Sequence, residues 1–156
     1  MTLEMTTTTA GPGAQVEDAA AYCLELADTW LRWDGRPRTS EDGDRVYTPH
    51  KVIRRIADHL IDHLAEAEAL LAEVDTQPDV WQGSDITLES DWARFTEADL
   101  REARERITRL ARTFALRLAA LEPATWDAPR TPNWTLREIA EHLTGIRWYA
   151  DQLGRL

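Results

Sequence analysis

Apolar residues recur every three or four positions in four separate stretches of the chain, the period of a helix with one buried face. In the first stretch Val16, Ala19, Cys23, Leu26, Trp30 and Trp33 form the seam, which predicts a helix near 16–33, ended by Gly35-Arg36-Pro37. The second opens on Thr48-Pro49, a capping residue followed by proline at the first helical position. Ile53, Ile56, Leu60, His63, Ala67, Leu70 and Val74 continue it, predicting a helix over 49–74. In the third, Thr96 caps and Asp99 lies in the first turn; Leu100, Ala103, Ile107, Leu110, Phe114, Leu118 and Leu121 predict a helix over 96–121. The fourth, with Leu136, Ile139, Leu143, Ile146, Ala150 and Leu153, predicts a helix over 134–153.

Nothing competes with this pattern. Residues 85–89 alternate, but that run is too short to build a sheet. Four amphipathic helices without a sheet must bury their stripes on one another, so the expected fold is all-α, a four-helix bundle. Residues 15–156 are expected to form one domain and residues 1–14, with a threonine run, a disordered tail. Two connections exceed a hairpin, 34–47 and 75–95. The second is long enough to cross a whole bundle, because extended chain covers about 3.3 Å per residue against 1.5 Å in a helix.

Composition narrows the function. With 156 residues the chain can bury a core without staples. A formal net charge of −10 argues against nucleic-acid or anionic-membrane partners. No apolar run approaches the roughly 18 residues of a membrane span. The N-terminus lacks the basic start and apolar stretch of a signal peptide, and a lone cysteine, Cys23, forms no disulfide within the chain. Both point to the cytoplasm.

The second and fourth stretches are related. Residues 48–60 read TPHKVIRRIADHL and residues 131–143 read TPNWTLREIAEHL. Part of the match is helix-start grammar; the paired histidines, His59 and His142, are not. An internal repeat of helix pairs would set them at equal depth, about 16 Å from their helix starts. His59 and His63 are four apart and share a helix face, the spacing by which one helix offers two imidazoles to one ion. His63 stands in the apolar seam itself. Three imidazoles meeting inside a bundle suit zinc, nickel or iron and leave positions open for water or substrate. The plain alternative is three half-buried side chains. His50 lies in the first turn, off this face.

Other features carry less. Trp30 and Trp33 fit the first seam and read as core. Trp81 and Trp92 flank the long crossover and either line a pocket mouth or pin the loop down. Tyr149 is two turns beyond His142 on the same face and Gly145 one turn beyond; both are candidate substrate contacts. The charge run over 97–109 is a solvated helix face. Cys23 reads as a small core residue, since no basic partner is in view.

The stretches IRRIADHLIDHLAEAEALL and NWTLREIAEHLTGIRWYADQLG resemble the DinB family of metal-binding four-helix bundles, which includes YfiT-like hydrolases and mycothiol-dependent maleylpyruvate isomerases. The resemblance covers about residues 16–156. It implies helices running up-down-down-up and a divalent ion between them on three side chains, usually one histidine from the second helix and a pair from the fourth. Here the His-x-x-x-His pair is on the second helix and Ile146 stands where a second histidine of the fourth would be. Isomerase-like members use Glu-x-x-x-His in the fourth helix, a spacing that Glu138 and His142 match. Thr135-x-x-Glu138 is also a capping-box pattern, so His63 ranks ahead of Glu138 as third ligand.

The resemblance implies a metal-dependent enzyme acting on a small electrophile, by transfer or isomerisation involving a low-molecular-weight thiol or by hydrolysis. The Ala-, Arg- and Glu-rich composition fits a GC-rich bacterium, for which mycothiol would be the thiol. The alternative is a non-catalytic bundle whose histidines are structural or whose role is dimerisation; a homodimer is compatible with either.

Overall fold

The computed structural model describes residues 11–76 and 83–156. The chain is mostly helical. In order it forms α1 (Gly13–Ala27), a 3₁₀ turn at Trp30–Arg32, strands β1 (Arg38–Thr39) and β2 (Val46–Tyr47), and α2 (Pro49–Leu71). Two 3₁₀ turns follow at Gly83–Asp85 and Glu89–Trp92, then α3 (Glu97–Ala119), a single turn α4 (Pro123–Trp126), α5 (Leu136–Leu143) and α6 (Ile146–Leu153). The two strands pair antiparallel within the first expected connection. The alternating stretch at 85–89 makes no strand; it spans the two 3₁₀ turns.

The predicted seams are the core. Val16, Ala19, Cys23, Trp30, Ile56, Leu60, Ala67, Ile107, Phe114, Leu118, Leu136, Ile139, Leu143, Ile146 and Ala150 are all buried in one cluster. Each large aliphatic side chain so buried contributes roughly 1.5–3 kcal/mol. α1 packs on α3 and on α5 and α6, and α2 packs on the same three. Contacts between α1 and α3 run in opposite order along the chain, Glu17 with Arg112 and Asp28 with Arg104. Those between α2 and α3 run in the same order, His50 with Asp99 and Glu68 with Arg117. At Gly13 α1 lies tight against α3: an added Cβ would stand 2.5 Å from the Ala115 Cα, so only glycine fits.

The helix ends differ from expectation for identifiable reasons. α1 begins at Gly13, inside the stretch assigned to the tail, and stops at Ala27, not at 33. Trp30 is fully buried, but Trp33 is half-exposed and its indole donates to the Arg36 carbonyl, so Trp33 is not core. α2 stops at Leu71 because Glu73 takes a left-handed φ of 56°. Glu73 N–H then bonds the Leu70 carbonyl and Val74 N–H the Ala69 carbonyl, which closes the helix end and leaves Val74 60% exposed.

The fourth expected helix is two. It starts at Leu136, not 134, and breaks at Thr144-Gly145 before resuming at Ile146. Thr135 accepts from Glu138 N–H while the Glu138 carboxylate accepts from Thr135 N–H, and this reciprocal pair fixes the later start. Among the described residues no helix is long and apolar enough to cross a membrane.

Candidate metal centre

Thr48 starts α2 by accepting from Lys51 N–H. From that start His59 and His63 fall one turn apart on the face turned toward α5, with ring centroids 4.7 Å apart. His142 occupies the last turn of α5, 4.9 Å from His59 and 4.7 Å from His63 between centroids. The three residues each offer a ligating nitrogen, and these nitrogens lie within 4.8 Å of one another. Three nitrogens on one tetrahedral ion stand roughly 3.4 Å apart, so the rings need only turn inward. The equal-depth expectation fails: His59 is deep in α2 whereas His142 is near the end of a short helix. The histidines meet because the helices pack with those points level, not because the starts correspond.

His63 is the buried member, 2% exposed, with the other two nearer the surface. Its Nδ1 lies 2.7 Å from Glu66 Oε2. Its Nε2 is buried and has no hydrogen-bond partner. A buried polar atom without a partner is uncommon and costly. Here it belongs to one of three converging imidazoles, so the donor set fits a divalent metal ion. These three histidines could bind one.

Aromatic groups wall the cluster. Trp134 lies nearly parallel to the His63 ring, 20° between planes, and 4.8 Å from the His142 centroid, with 44% of its surface exposed. Tyr149 meets His59 edge-on at 5.9 Å. Its hydroxyl accepts from Arg55 Nη2 at 2.8 Å, and Arg55 is tied in turn to Ser84 and Asp85 of the crossover. Tyr47, at the end of β2, backs Tyr149 and Trp148; burial pushes its phenol up, with the Arg45 guanidinium opposing. Burial likewise raises the Asp58 carboxyl, which Arg54 opposes, and lowers the Lys51 ammonium, whose Nζ donates to Thr87 Oγ1. Arg54 pairs with the buried Asp91 at 2.7 Å. The first two turns of α2 thus clamp the crossover, and the histidines follow from the middle of the helix onward.

The remaining candidates fall as follows. Glu138 closes the start of α5 and is not in the cluster. Gly145 makes the break between α5 and α6, where an added Cβ would meet the His142 carbonyl at 3.0 Å; what it gives is room for the backbone behind the ligand. His50 turns to the Arg94 carbonyl and Asp99. Trp92 is 47% exposed and Trp81 lies outside the described residues. Cys23 is buried, and burial pushes its thiol up to about 12.

Glu66, Trp134 and Arg55 were not singled out from the sequence. Two carried a local signal, Glu66 three residues after His63 and Arg55 one turn before His59, both on the ligand face. Trp134 carried none, since its position depends on where α5 starts. Comparison of the chain with protein-family models, with curated proteins and with solved structures finds no match, so the case for this site rests on its own geometry.

Proposed function

We propose that the chain is a cytoplasmic metal-dependent enzyme of the DinB type, with His59, His63 and His142 as the ligands of one divalent ion. The observation that carries this reading is the buried, unpartnered Nε2 of His63 beside two further imidazoles. Neutral imidazoles favour zinc, with nickel and iron as the other fitting ions. Such an ion, when bound, supplies Lewis-acid chemistry and lowers the pKa of a water or thiol beside it.

The chain's own groups suit the rest of the task. Trp134 offers a half-exposed ring face next to two of the histidines, and it shields the buried His63 from water. Arg55 occupies a lone pair of the Tyr149 hydroxyl, which leaves that hydroxyl's hydrogen to donate toward a substrate oxygen. The substrate in this reading is a small electrophile, attacked either by a low-molecular-weight thiol such as mycothiol or by water. The order of helix pairs supports a four-helix bundle running up-down-down-up, with α5 and α6 as its fourth helix. α1 runs against α3, α2 runs with α3, and each of α1 and α2 touches α5 and α6.

Metal analysis of the purified protein tests the reading, together with zinc binding by His63→Ala and His142→Ala and turnover of small electrophiles with and without thiol and chelator. One ion per chain, lost in both variants, is expected. Thiol-independent turnover that chelator abolishes selects the hydrolase branch. Turnover untouched by chelator and by His59→Ala removes the metal mechanism.

A further inference from the structure

Glu66 is not a ligand, yet it makes a close polar contact with the buried member of the cluster. Its carboxylate lies 2.7 Å from His63 Nδ1, with 22% of the Glu66 side chain and 2% of the His63 side chain exposed. A carboxylate only accepts, so the hydrogen of this bond sits on Nδ1. In the neutral ring Nε2 is then a bare lone pair, and it is the atom left buried without a partner. The opposite tautomer would set the Nδ1 lone pair against the carboxylate oxygen and direct an N–H into the cluster. Trp134, nearly parallel to the ring, restrains its plane from another side. The orientation of His63 is therefore set by the protein before any ion arrives.

We propose that Glu66 is the positioning residue of this site: it locks His63 in the Nδ1–H tautomer and aims the Nε2 lone pair at the space between His59 and His142. The proposal rests on the metal-centre reading for its purpose but not for its geometry. A carboxylate behind a ligating imidazole has this effect wherever it occurs, and its loss costs about 10–100-fold in metal affinity. The sequence repeats the offset: Asp62 stands three residues after His59 as Glu66 stands after His63, whereas the residue three after His142 is Gly145.

The test has two independent readouts. Long-range ¹H–¹⁵N correlation spectra of the zinc-free protein report which ring nitrogen of His63 carries hydrogen. Competition with a chromophoric chelator reports zinc affinity. The wild type is expected to show Nδ1–H. Glu66→Ala should lose that preference and weaken zinc binding by about 10–100-fold. Glu66→Gln, whose amide oxygen still accepts, should keep the tautomer and lose less affinity. Far-UV spectra confirm that both variants fold.

An Nε2–H ring in the wild type overturns the proposal, as does a Glu66→Ala variant with unchanged tautomer and unchanged zinc affinity. The two readings fail separately. If the wild type binds no zinc, the metal centre falls and the tautomer still decides the role of Glu66. If His63→Ala abolishes binding and Glu66→Ala leaves it intact, the metal centre stands and Glu66 has no part in it.

Discussion

Residues 48–60 and 131–143 share seven identical positions in thirteen, yet one folds as a helix from its second residue and the other only from its sixth. Both begin Thr-Pro, and both Thr-Pro steps have the residues to cap a helix. The difference lies four and seven positions further on. Where α2 has Val52 and Arg55, the second segment has Thr135 and Glu138, which satisfy each other's backbone N–H groups. A reciprocal box closes two orphan donors where a lone threonine closes one. The later start wins, and the residues ahead of it are released from the helix. Trp134 is one of them, and it lies over His63 and His142 as a result. A helix start is thus a competition between neighbouring caps, and the loser can furnish a wall of the site.

The largest effect expected from this pair of segments is where they remain alike. Ile56 and Ile139 are matched positions, each fully buried. Ile56→Ala and Ile139→Ala should each cost about 2–5 kcal/mol in denaturant unfolding and agree closely. A gap of more than about 2 kcal/mol would break the equivalence of the two cores, since that is the spread such sites show at fixed chemistry.

The next effect concerns the caps themselves. Giving the second segment the residues of the first, Thr135→Val with Glu138→Arg, should cost about 1–2 kcal/mol in lost capping. It should also move the helix start back toward Pro132. The amides at 136 and 137, ahead of the first helical bond from Ile139 to Thr135, would then gain protection from hydrogen exchange. Unchanged exchange there would mean that the seat of Trp134, not the box, decides the start.

The smallest effect sharpens what a box does elsewhere. In α3, Asp99 accepts from Thr96 N–H and Thr96 Oγ1. Burial pushes its carboxyl up, but the Thr96 donors and nearby His50 outweigh that and hold it below its ordinary value of 3.8. A lowered carboxyl contributes stability that is present above the unfolded value and lost as pH falls through the folded one. Melting temperatures of wild type and Asp99→Asn should therefore differ modestly near neutrality and converge below about pH 4. A difference that persists in acid would mean the Asp99 contact acts through packing and not through charge.

Against this background, what the sequence could and could not carry separates cleanly. Seam residues such as Ile56, Leu60, Phe114 and Leu143 were legible because burial follows the helical period whatever the partner helix is. The histidine trio was legible through spacing and repeat, although the equal-depth argument for it was wrong. The ends of helices were not legible. Glu73 takes a left-handed turn that no residue preference announces, and Gly145 splits a seam whose apolar period runs on undisturbed. Trp134 and the Arg55–Tyr149 contact depend on how distant segments meet, and a single chain read in order does not contain that.

Cys23 has a consequence beyond packing. Its thiol is sealed in the core and pushed up to about 12 by burial, so the unreactive thiol form dominates at neutral pH. Alkylating reagents would then reach it only when local opening of the fold exposes it. The rate of labelling becomes a clock for that opening, with no engineered cysteine required. It also means that any thiol chemistry at the histidines uses sulfur brought from outside, because the chain's single sulfhydryl, Cys23, is locked in its core.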